Sequence, residues 1–194
     1  PSGNGVSGGG VSGDKFDVFL SHDWGENKGN HKIISRVNDK LKALGLSTWF
    51  DEEQMIGDVG GRIAEGIESS SIVAVFITKK YIEKVNAQNK DDKCCLELNH
   101  ASRQKGTLKI IPVVMEEDCR DPRSWKGVLG GLLSSEYYID MIDHANDSFF
   151  EGKCSELYEK IINTCSSQVV YSGSSGGGIS GGGSSGGGSS GANP

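Results

Sequence analysis

Short apolar runs of strand length alternate with longer runs of helical period five times along this chain, and that alternation leaves few architectures open. Phe16 to Leu20 reads as a first strand, after which Ile34, Val37, Leu41 and Leu44 mark one face of a helix that ends near Gly45. Leu46 to Phe50 is the second strand, and a polar loop, Asp51 to Asp58, leads into a helix with Val59, Ile63 and Ile67 on one face. Ile72 to Ile77 follows as the third strand. A helical region from Lys79 to Gln104 is interrupted by the polar stretch Asn86 to Asp92. Leu108 to Met115 and a weaker Tyr137 to Ile139 are the last strands. A final helix puts Phe150, Cys154, Leu157, Ile161 and Cys165 on its inner side. Strands that are apolar on both faces belong to a parallel sheet covered by helices on each side. The expected fold is therefore α/β: three layers, with a doubly wound, five-stranded parallel sheet in the middle.

In such sheets ligands bind outside the carboxyl ends of the strands. The loops that begin at Ser21, Asp51 and Thr78 should share one rim, and the helix beyond the third of them carries an anomaly. In Lys93-Cys94-Cys95-Leu96-Glu97-Leu98-Asn99-His100-Ala101, positions 94, 97, 98 and 101 have the spacing of one inward helical face. Three of those positions are small or apolar, and the fourth is Glu97. An unpaired carboxylate in an interior costs roughly several kcal/mol even after relaxation, so stability alone is a poor reason for placing one there.

Composition locates the domain. Residues 1–13 and 172–194 are almost wholly Gly and Ser, carry no charge and hold more than half of the 29 glycines. Segments of that kind bury too little apolar surface to offset the ordering of their backbones, and flexible behaviour is expected of them. The span 14–171 carries all of the net charge of −6, which disfavours nucleic acid and anionic membranes as partners, since both require a basic footprint. No apolar run is long enough to span a bilayer, and no secretory signal pattern opens the sequence. Five cysteines in a domain of this size suit reduced thiols better than a disulfide framework. A cytoplasmic domain is expected.

Several chemistries drop out. The span holds no P-loop, no G-x-G-x-x-G after the first strand, no H-E-x-x-H, no C-x-x-C and no G-x-S-x-G elbow, so metal binding and serine hydrolysis are not expected. A receiver-like phospho-acceptor needs an aspartate at the end of the third strand, where Ile77-Thr78 stands.

Four segments, in this order, resemble the signature boxes of the Toll/interleukin-1 receptor (TIR) domain family. Phe16-Asp17-Val18-Phe19-Leu20-Ser21-His22-Asp23 resembles the first, a strand that ends in Ser before a polar loop. Thr48-Trp49-Phe50-Asp51-Glu52-Glu53-Gln54-Met55-Ile56-Gly57-Asp58 is similar to the family's BB loop, acidic at its start and closed by Gly-Asp. Cys94-Cys95-Leu96-Glu97-Leu98 is similar to W-C-x-x-E-L, and Phe149-Phe150 resembles the aromatic pair of the last box. Two departures stand out: Lys93 replaces the tryptophan, and the second box lacks the proline of animal Toll-like receptors. The loop is closer to those of plant, protist and bacterial TIR domains, many of which cleave NAD, whereas animal receptor TIR domains act as adaptors.

The resemblance implies a flavodoxin-like TIR fold over 14–171 and an NAD+ nucleosidase that yields nicotinamide and ADP-ribose or a cyclic form of it, for signalling or for NAD depletion. NAD+ would be the substrate, with no cofactor. Glu97 matches the family's catalytic glutamate. Breaking the nicotinamide–ribose bond develops positive charge on the sugar, which a fixed carboxylate stabilises; nicotinamide leaves as a neutral molecule, so one carboxylate suffices. The bland alternative puts Glu97 on the flank of its stripe, reaching water or pairing with Lys93 or Arg62. Ser21, His22, Asp23, Trp24 and Asp51 stand where the resemblance places the dinucleotide. Trp24 is a candidate stacking ring, the alternative being a loop aromatic folded over the sheet edge, and Asp23 is a candidate acceptor for a ribose hydroxyl. For His22 the simpler role is a satisfied rim histidine, and Trp49 reads as core.

The resemblance further implies self-association through TIR–TIR contacts, with other TIR-domain proteins as additional partners. The BB loop, with Glu52, Glu53, Met55, Ile56, Gly57 and Asp58, would dock on a neighbouring molecule. For the acidic run the plain alternative is a solvated loop, and for Asp58 it is the cap of the helix that follows. Non-enzymatic homotypic adaptor action is the competing function.

Overall fold

The computed structural model describes residues 15–50 and 59–166. Five strands, β1 (Phe16–His22), β2 (Thr48–Trp49), β3 (Ser70–Ile77), β4 (Ile110–Val114) and β5 (Ile139–Asp140), form one sheet in the order β2-β1-β3-β4-β5. Every pairing is parallel. The helices are α1 (Gly29–Ala43), α2 (Val59–Glu68), α3 (Lys79–Asn86), α4 (Lys93–Gln104), α5 (Gly127–Leu133) and α6 (Asp147–Ser166).

Side chains alternate across a strand, and the two cores follow that parity. Val18 and Leu20 of β1 with Ala74 and Phe76 of β3 pack under α1 and α6. Phe19 of β1 with Val73, Val75 and Ile77 of β3 pack against the layer that holds Ile63, Tyr81, Leu98 and Leu129. The three-layer, doubly wound architecture expected from the alternation is the one observed. The expected interruption of the third helical region is the break between α3 and α4.

Several elements differ from expectation, the last strand among them, which is Ile139–Asp140 and leaves Tyr137 and Tyr138 outside. β1 runs on to His22, because its pairing with β3 continues to His22 opposite Phe76. β2 shrinks to Thr48–Trp49, two residues paired with Val18 and Phe19. The fourth strand starts at Ile110 instead of Leu108, which lies in a 3₁₀ turn and is 80% exposed. α5 was not foreseen at all. It is a seven-residue helix containing three glycines, which local propensity disfavours, and it is held from outside: Val128 N–H donates to Asn86 Oδ1 at 2.9 Å, and Leu129 and Leu133 are buried.

Two caps position the helices behind the rim. Thr78 accepts a hydrogen bond from Tyr81 N–H to start α3, and Asp92 accepts from the N–H groups of Cys94 and Cys95 to start α4.

Candidate active site

The strand order reverses direction between β1 and β3, so the carboxyl ends of these neighbouring strands make the switch-point crevice of the sheet. β1 delivers consecutive side chains to opposite faces there. Ser21 faces α3 and α4, and His22 faces α1.

Ser21 is fully buried and meets both of its partners in the interior. Its hydroxyl donates to Glu97 Oε2 at 2.6 Å and lies 2.9 Å from the Tyr81 hydroxyl. Glu97 is 4% exposed and belongs to the inward face of α4 with Cys94, Leu98 and Ala101. The stripe therefore does turn inward, and the flank position, with a carboxylate reaching water, is not what α4 adopts. Tyr81 escaped the sequence-based reading. It lies in an ordinary amphipathic helix, and only its contact with Ser21, sixty residues away, gives it a place in the site.

On the other face, His22 is 5% exposed. Its Nδ1 lies 3.1 Å from the Leu20 carbonyl, which only accepts, so Nδ1 carries the proton. His22 Nε2 lies 2.9 Å from His31 Nδ1, within hydrogen-bond distance. The two imidazoles and Phe50 form a stacked group, with ring centroids 4.9 to 5.5 Å apart. His22 is thus the satisfied rim histidine. Trp24, half-buried, tilts over His31 at 5.0 Å, and the ammonium groups of Lys28 and Lys93 stand over its ring. Trp49 is core, as expected, edge-on to Phe16 at 5.2 Å.

Asp23 takes a different part from the one envisaged. It is 1% exposed, and each of its carboxylate oxygens is engaged twice: Oδ1 accepts from Gly25 N–H and Asn30, and Oδ2 accepts from Asn30 and the Thr78 hydroxyl. All the lone-pair directions of the carboxylate are used. Asp23 stitches the loop after β1 to the start of α3 and is not an open acceptor for a ribose. Above this stitch a cleft of about 620 Å³ opens between Trp24 and Asn30 on one side and Lys79, Lys80 and Lys84 of α3 on the other.

Asp51, Glu52, Glu53, Met55, Ile56, Gly57 and Asp58 lie outside the described residues, and with them the cap expected of Asp58. Among the described residues no cluster of His, Cys, Asp and Glu could hold a metal ion. Likewise no helix is long and apolar enough to cross a membrane.

Residues 18–155 match the sequence profile described as TIR domain. The chain belongs to the TIR domain family. No curated protein matches the sequence significantly. Solved structures with the same fold include a prokaryotic SEFIR domain, 19% identical with a TM-score of 0.57, covering 74% of this chain and 96% of the other. A metazoan TIR-STING receptor from C. gigas is 13% identical with a TM-score of 0.52, covering 76% of this chain and 40% of the other. The TIR domains of the activated Roq1 resistosome, which recognises the pathogen effector XopQ, are 17% identical with a TM-score of 0.52, covering 76% and 99%. In this TIR domain the first box supplies the Ser21 that touches Glu97, and the third box supplies Glu97 itself.

Proposed function

We propose that this TIR domain cleaves NAD+ at the nicotinamide–ribose bond, with Glu97 as the catalytic carboxylate. The observation that carries the proposal is the Ser21–Glu97 bond: it fixes an acidic group in a low-dielectric setting beside the switch-point crevice. There, a carboxylate opposes positive charge far more effectively than it would in water. The C–N bond breaks with its electron pair leaving on nicotinamide. The oxocarbenium-like ribosyl group, held against Glu97, is captured either by water, with loss of a proton to solvent, or by a group of the same molecule to close a cyclic product. Trp24 offers a half-buried ring for a base, and Lys28 and Lys93 offer positive charge for the pyrophosphate.

Self-association belongs to the same proposal. The Roq1 TIR domains come from an activated resistosome, and the cleavage site here is expected to be completed when domains assemble through the BB loop, residues 51–58.

Homotypic adaptor action without cleavage is the second possibility, and the near-complete burial of Glu97 favours it, since a carboxylate that only ties α4 to β1 would be buried in the same way. The test is to incubate the full chain with NAD+ at high protein concentration and follow nicotinamide by chromatography, with Glu97→Gln as the control. Glutamine keeps the shape and an acceptor for Ser21 but removes the charge, so release should fall by about 100-fold or more. Self-association without nicotinamide release in the wild type would decide for the adaptor.

A further inference from the structure

We infer that Tyr81 is a positioning residue for Glu97: its phenol donates to the Ser21 hydroxyl and so commits the single serine proton to one oxygen of the Glu97 carboxylate. The direction of both bonds follows from counting protons. A serine hydroxyl has one proton to give and can accept as well, a phenol has one proton, and an ionised carboxylate only accepts. The 2.6 Å contact between Ser21 Oγ and Glu97 Oε2 has the length of a hydroxyl donating to a charged oxygen. The serine proton is therefore spent on Glu97. The remaining contact, 2.9 Å between Ser21 Oγ and Tyr81 Oη, can be made in only one direction, from tyrosine to serine.

Tyr81 is suited to the task because it can neither move nor ionise easily. It is wholly buried, and its backbone N–H donates to the Thr78 hydroxyl at 3.0 Å in the first turn of α3. That hydroxyl in turn donates to Asp23. Burial above all, and then the neighbouring Cys94 and Glu97, hold the phenol proton on well past the ordinary tyrosine range. The orientation of the Glu97 carboxylate is thus traceable through Ser21 and Tyr81 to the cap that joins β3 to β1. Successive hydrogen bonds of this kind polarise one another, so the tyrosine strengthens the serine's bond to the carboxylate without touching it.

Removing either donor destabilises the ionised form of Glu97 and tightens its hold on a proton. The inference rests on the proposed cleavage only for its kinetic consequence, and the experiment separates the two. The Glu97 carboxyl carbon is titrated by NMR in the full chain as wild type, Tyr81→Phe and Ser21→Ala, with melting temperatures confirming the fold and the pH profile of kcat for nicotinamide release measured alongside. Proton binding to Glu97 should tighten about tenfold in Ser21→Ala and by a smaller factor in Tyr81→Phe. The acid limb of kcat should move to higher pH in the same order. A Glu97 titration in folded Tyr81→Phe that coincides with wild type overturns the relay. Tightened binding in both variants, with no nicotinamide release by the wild type, supports the relay and removes the cleavage proposal. If Tyr81→Phe does not fold, the wild type decides: a slowly exchanging Tyr81 hydroxyl proton with cross-relaxation to Ser21 supports the relay, and a freely exchanging one overturns it.

Discussion

The Lys93 ammonium lies 5.2 Å from the centre of the Trp24 ring. Residue 93 is where the resembled motif carries tryptophan, so here the aromatic surface beside the start of α4 comes from the loop after β1 instead. Lys93 and Glu97 are four residues apart on one helix, about 6 Å along its axis.

If a base of NAD+ stacks on Trp24, Trp24→Ala should raise KM about tenfold or more, since a stacked base is worth roughly 1–3 kcal/mol. Trp24→Phe should recover most of the loss, and kcat should change little in either variant. Equal KM values for wild type and Trp24→Ala in steady-state assays would assign the ring to covering His31 and nothing more.

Asp23→Ala removes the acceptor for Gly25 N–H, Asn30 and the Thr78 hydroxyl at once. Buried donors left without a partner cost roughly 1–3 kcal/mol each before relaxation, and a total loss of about 2–4 kcal/mol is expected. Urea unfolding measures it as a lower midpoint at constant slope. A loss below about 1 kcal/mol would mean that water takes over these bonds.

Two glycines are set by close approach. A Cβ on Gly130 would run into the Trp125 carbonyl oxygen, a backbone atom, and one on Gly66 would meet the Trp49 ring at 2.5 Å. Gly130→Ala and Gly66→Ala should lower the melting temperature by several degrees, through overpacking of about 1–3 kcal/mol. Gly131→Ala, in the same helix as Gly130 but facing open space, should be neutral or stabilising by about 0.5–1 kcal/mol. Calorimetry on the three variants tests the contrast.

Alkaline pH should destabilise the domain. Burial pushes the Cys119 thiol up to about 11 and the Cys154 thiol to about 12, and it raises Cys94 in the same direction. The folded state binds these protons more tightly than the unfolded chain, whose thiols ionise near ~8.5. That contribution is complete below about pH 8.5 and is lost as pH climbs toward 11 and 12. Melting temperature should be flat from about pH 7 to 8.5 and fall above. Native-state alkylation at neutral pH, read by mass spectrometry, should mark half-buried Cys165 before the four buried cysteines.

Much of the fold was legible because its signals are local. The inward stripe of α4 and the unbroken apolar runs of β3 and β4 are visible in neighbouring residues. α5 was not, since its glycines oppose helix formation and the helix exists by docking on Asn86 and burying Leu129 and Leu133. Leu108 misled for the opposite reason: it is apolar and next to a strand, yet it lies in the exposed 3₁₀ turn that leads into β4.

By itself the sequence determined the order of the strands and of every helix but α5, the parallel α/β architecture, the TIR boxes and the presence of a carboxylate on an inward helical face, all of which follow from spacing along the chain. Only the tertiary structure decided what that carboxylate touches. The parallel register of β1 beside β3 sends Ser21 to one face and His22 to the other, and the caps at Thr78 and Asp92 bring Tyr81 and Glu97 to the same hydroxyl across 60 and 76 residues of chain. No local pattern encodes such a meeting, because hydrogen bonds depend on distances in space, which the packing of two helices on a sheet alone supplies.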